Sequence, residues 1–151
     1  TELGLRLSSQ MAMLANLLDF CMMFKAVLDD AQFAELRSSD RPMDREALIQ
    51  IGERFMLALN TIRVEYQNRG LAVSHIADAF GAEGEDPSGS RRRALEFFQR
   101  YVDARKRLFD AFPTGDVVKA RVCFGVFSEV QREFLKMAAR RYAELAERQE
   151  S

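Results

Sequence analysis

The stretch "LANLLDFCMMFKAVL" (residues 14–28) is apolar almost all the way round, broken only by Asn16, Asp19 and Lys25. Wound as a helix, it puts Leu14, Leu17, Cys21, Phe24 and Leu28 on one stripe. Phe20, Met23 and Val27 form a second stripe, about 100° away. A helix packed on a single core needs only one stripe, about 100° wide. Two stripes mean either a helix lying deep between neighbours or one that offers its second stripe to another chain. In an elongated bundle no helix is surrounded on all sides, so a dimer seam is expected, drawn from Leu14, Phe20, Met23, Phe24 and Val27. Met and Phe suit such a seam because they adapt to a partner surface. Full burial within one chain is the alternative. A membrane span needs about 20 residues almost free of charge, and Asp19 with Lys25 argues against one.

The rest of the chain also reads as helix, with three Pro, eight Gly and no alternating β pattern. The expected fold is all-α, an elongated antiparallel bundle of three to four long helices in a single domain over 1–151. The first helix is expected over 3–36, with Asp40 capping the second and Pro42 in its first turn. The second, over 44–80, carries a heptad seam: Leu48, Gly52, Phe55, Leu59, Ile62, Tyr66, Arg69, Val73, Ile76 and Phe80. Unbroken, it would be about 55 Å long, with Gly70 weakening but not ending it. "GAEGEDPSGS" (81–90) reads as a flexible loop and "FPTGD" (112–116) as a tight turn. They bound helices over 91–111, with Leu95, Phe98, Val102 and Phe109 inward, and over 117–148. The last runs inward through Val122, Phe127, Val130, Phe134, Ala138, Tyr142 and Leu145.

The residues needed for most chemistry are not assembled in the sequence. His75 is the one histidine and has only Asp78 nearby as a second metal ligand. "SHIADAFGAEG" resembles the phosphoacceptor helix of histidine phosphotransfer domains only faintly, because Ala77 stands where that family has a basic residue. The seven Met lie at helical spacing with Leu and Phe, as packing residues do. No triad, phosphate loop or metal spacing is present, so no enzyme activity, cofactor or small-molecule substrate is expected. Cys21 and Cys123 sit in apolar runs and read as reduced, buried thiols of an intracellular protein.

Charge is unevenly divided although the total is −1. Most acidic residues lie before residue 90 and most basic ones after it, in the groups Arg91–Arg93, Arg105–Arg107 and Arg140–Arg141. Nucleic-acid binding would want these interleaved with exposed aromatics, which the sequence does not show. Attraction to an anionic membrane fits the distribution better, beside the plain reading of a solvated face.

Two patches carry a resemblance. "TIRVEYQNRGLAVSHIADAF" (61–80), with Ile62-Arg63, Tyr66, Arg69 and Asp78-Ala79, resembles the middle helix of the BAR domains of sorting nexins. "RLFDAFPTGDVVKA" (107–120) is similar to the tip of the hairpin that follows in that family. The resemblance implies an antiparallel homodimer, or pairing with a related helical partner, on a curved anionic membrane. It implies a cytoplasmic protein peripheral on endosomes, with Arg105, Lys106, Arg107, Lys119 and Arg121 as the lipid-facing tip. The competing expectation is a soluble helical adaptor that binds other proteins and ignores lipid.

Overall fold

Residue Asp30 ends the first helix earlier than hydropathy suggests. In the computed structural model, which describes residues 2–70, 73–81 and 89–150, α1 covers Glu2–Asp29 rather than 3–36. Asp30 takes an extended conformation (φ −60°, ψ 137°), and its side chain accepts a hydrogen bond from the Gln32 amide at 3.0 Å. This Asx-type turn competes with helix continuation. A 3₁₀ turn (Ala31–Phe33) and the short α2 (Ala34–Arg37) follow, and they bury Phe33 and Leu36. Arg37 donates to the carbonyls of Leu28 (2.7 Å) and Asp30 (2.8 Å), satisfying groups left open where α1 stops.

The next helix, α3, covers Arg45–Asn68. Its cap is Asp44, not Asp40: the Asp44 carboxylate accepts from the Ala47 amide at 2.7 Å, and Pro42 lies before the helix. Leu48, Gly52, Phe55, Leu59 and Ile62 are buried as the heptad spacing requires. The unbroken helix to residue 80 does not form. Gly70 adopts φ 73°, a left-handed conformation that closes helices, and its amide donates to the Gln67 carbonyl at 2.9 Å. A six-residue helix, α4 (Val73–Asp78), brings Ala77, Ala79 and Phe80 inward. Residues 82–88 of the expected flexible loop lie outside the described residues.

Helices α5 (Ser90–Ala111) and α6 (Val117–Glu150) make a hairpin through a 3₁₀ turn at Phe112–Thr114. The inward face of α5 is Ala94, Ala104, Leu108 and Ala111, flanked by half-buried Phe97 and Tyr101. Leu95 is 50% exposed, and Phe98, Val102 and Phe109 are half-buried, which corrects the expected face. Small alanines let α5 lie close to α6, a signal that side-chain size alone hides. Val122, expected inward on α6, is also exposed.

Among the described residues the protein is all-α, with six α-helices and no strand rather than three or four helices alone. The four long ones contain 28, 24, 22 and 34 residues. Ser8, near the start of α1, accepts from the Gln149 side chain near the end of α6 at 3.0 Å. Arg100 of α5 pairs with Glu133 of α6 at 3.1 Å.

Two apolar clusters result. Phe55 centres the first, with Phe33, Phe124 and Phe127 edge-on at 5.2, 5.4 and 6.1 Å. The second joins Leu14, Leu17, Cys21, Phe80, Phe134, Ala138 and Leu145. Helices α1, α5 and α6 contribute to both.

A Cβ on Gly52 would overlap the Phe112 ring. Gly52→Ala should therefore lower the unfolding free energy by about 1–3 kcal/mol in urea titration, by overpacking. The two cysteines are free thiols, but only Cys21 is buried, and burial pushes its pKa up to about 12. A thiol reagent at pH 8 should label half-buried Cys123 first and Cys21 only on unfolding. Equal native rates would contradict the packing of α1.

Candidate functional site: the outer face of the first helix

Both apolar stripes of α1 are used inside the chain. Leu14 and Phe20 are fully buried, so neither can serve the expected dimer seam. Phe20, 2% exposed, lies edge-on to Tyr66 at 4.4 Å, and the Arg69 guanidinium covers its ring at 4.9 Å. Met23, Phe24 and Val27 are half-buried against the first cluster, with Phe24 on Tyr101 at 5.9 Å. The second stripe packs at home because α3 folds back over it.

What remains outside is a different set. Leu5, Ser8, Ala12, Ala15, Asp19, Met22, Ala26 and Asp29 are all exposed and follow one another three and four residues apart without a slip. Met22 is 53% exposed. Between Arg6 and Asp29 the only charges on the helix are Asp19 and Lys25. Length and composition alone would let Gly4–Asp29 cross a membrane, so those two charges do not by themselves decide against a span. The structure instead uses the inner face of this segment as core. Hydropathy reading passed over the outer seam because Ala and Ser give no strong signal. Its 3–4 spacing was the mark available.

The charges near the seam are tied down. Arg69 pairs with Asp19 at 2.8 Å and with Glu65 at 3.2 Å, and these hydrogen bonds raise its pKa. Lys25 donates to Asp29 at 2.8 Å and holds that carboxyl below its usual range. Beside the seam, α1 and α3 leave an open groove of about 390 Å³ lined by Met23, Asn60, Thr61, Val64, Glu65 and Arg69. Thr61 donates to the Leu57 carbonyl at 2.9 Å and Asn60 accepts from Arg63 at 2.8 Å, so part of the groove's polarity is spent locally.

The basic tip is dispersed by its own contacts. Arg105 covers Tyr101 at 5.8 Å, and Arg107 pairs with Asp103 at 3.2 Å. Arg121 donates to the Glu35 carbonyl at 3.1 Å and to that of Arg41, strapping the segment between α2 and α3 onto α6. Lys106 and Lys119 are left exposed. Beside Lys119, Val118 and Val122 are 74% and 62% exposed. Asp103, Asp110 and Asp116 stand on the same hairpin, offsetting its positive charge.

His75 is half-buried, and no group of three or more potential metal ligands occurs among the described residues. Neither a family model, nor a curated protein, nor a solved structure matches the chain.

Replacing the strap tests its role. Arg121→Met should speed amide hydrogen exchange across residues 35–44 and cost about 1 kcal/mol of stability. Unchanged exchange there would mean that Arg121 is dispensable to the fold.

Proposed function

We propose that the protein is a non-catalytic α-helical interaction module that presents the outer face of α1 to another helix. Its four long helices would form the elongated, antiparallel frame that holds this face open. The single observation behind the reading is that α1 is apolar all round while only its inner face has partners. A solvated helix face ordinarily carries charge, as α5 does with Arg92, Glu96, Arg100, Asp103, Lys106 and Arg107. The outer seam of α1 has Asp19 and Asp29, and both are paired.

A benzophenone-bearing residue at position 22, irradiated in native cell extract, should give discrete protein adducts that Ala15→Glu removes. The same group at position 95 on α5 should give few. No adducts at position 22 would defeat the reading.

A second reading keeps the membrane scaffold of BAR type, cytoplasmic and peripheral on endosomes. Its support is the exposed pair Val118 and Val122 beside Lys119, which combines apolar insertion with attraction to anionic headgroups. On this reading wild-type protein co-sediments with anionic liposomes at low salt and leaves them as salt rises. Lys119→Glu with Val118→Asp should abolish binding without loss of helicity. A wild type that ignores anionic liposomes at low salt removes this reading and leaves the first.

A further inference from the structure

We infer that the helix that covers the outer face of α1 is α1 of a second copy of this chain, packed antiparallel about a two-fold axis. The inference rests on the reading of that face as an association surface, and it names the partner.

The spacing itself is that of a coiled-coil seam, with Ala12, Ala15, Asp19, Met22, Ala26 and Asp29 in a strict 3–4 repeat. In an antiparallel pair, a seam position in one helix faces the alternate kind of position in the other. Setting Ala15 against Ala26 of the second copy brings Met22 opposite Asp19 and Ala12 opposite Asp29. Side chains then alternate in size across the axis, as interdigitation requires. The alanine pairs allow the backbones to approach closely.

Two further observations select this register. The exposed Met22 side chain comes over the groove between α1 and α3, where Met23, Thr61 and Val64 supply apolar surface beside Arg69. By symmetry each copy fills the other's groove. The charges select the direction. In a parallel, in-register pair the two Asp19 carboxylates would face each other at the seam, a like-charge contact. In the antiparallel pair each Asp19 faces a methionine and keeps Arg69, so the central patch is neutral. Antiparallel helix dipoles add a small favourable contribution. The pairing is isologous, so it closes as a dimer and leaves no free copy of the seam to propagate a filament.

Oxidative cross-linking tests direction and register together. In a Cys123→Ser background, with Cys21 protected by burial, Ala15→Cys and Ala26→Cys chains are prepared separately. Mixed at tens of micromolar and oxidised, they should form a disulfide-linked dimer holding one chain of each kind, while each alone stays uncross-linked. Circular dichroism confirms that both variants are folded. Met22→Glu should weaken dimerisation by at least about tenfold in sedimentation equilibrium. Self-cross-linking of Ala15→Cys, or no product from the mixture, overturns the inference. If position-22 photo-adducts then persist at masses other than twice the chain, the association reading survives without self-pairing. If they vanish too, both fall.

Discussion

The packing of α1 along α6 is the contact on which the rest of the structure depends. Leu14, Leu17 and Cys21 meet Phe134, Ala138 and Leu145 in one cluster, and Phe20 and Leu28 join Phe124 and Phe127 in the other. Each fully buried Leu or Phe contributes about 1.5–3 kcal/mol by leaving water. Because α1 runs through both clusters, it couples the end of the molecule built around Phe55 to the end built around Phe80. The short elements follow from that coupling. Asp30 turns the chain so that Phe33 reaches Phe55, and Gly70 turns it so that Phe80 reaches Phe134.

Once α1 is fixed on its inner side, its outer side is set by helical geometry alone. Residues 12, 15, 19, 22 and 26 have nowhere else to point, and the chain has placed one charge among them. That charge is paired with Arg69, whose guanidinium also covers Phe20. The same residue therefore seals the core and neutralises the seam. Arg121 plays a comparable part at the opposite end, where it holds the connection into α3 instead of reaching outward. Basic residues near a hairpin tip thus serve the fold first, and the surface left for a ligand is smaller than their number in the sequence implies.

The helical class and most of the core were legible. Leu48, Phe55, Leu59 and Ile62 announced α3 by spacing, and Phe127, Val130, Phe134 and Ala138 announced α6. The breaks were not legible to the same degree. Gly70 inside a continuous heptad pattern looks like a weak point, and only the backbone shows that it takes φ 73° and ends the helix. Asp40 and Asp44 are equally good caps by residue type, and the register of α3 on Phe112 through Gly52 chooses between them. On α5 the buried face is marked by alanines, while bulkier Leu95 points to solvent. The outer seam of α1 escaped notice for the same reason. Periodicity locates large apolar side chains well, and close helix contacts are made by small ones.

The claim that α1 has one face for the fold and another for a partner is tested most directly by a glutamate scan of residues 12–28. For each variant, thermal stability and oligomeric mass are read on the same sample. Glutamate at 14, 17, 21 and 28 is expected to lower the melting temperature sharply, since it buries a charge in the core. At 12, 15, 22 and 26 it is expected to leave the melting transition of the monomer in place while dissociating the dimer. If those four substitutions unfold the chain as the first four do, or leave the mass unchanged, the two-faced account of α1 is contradicted.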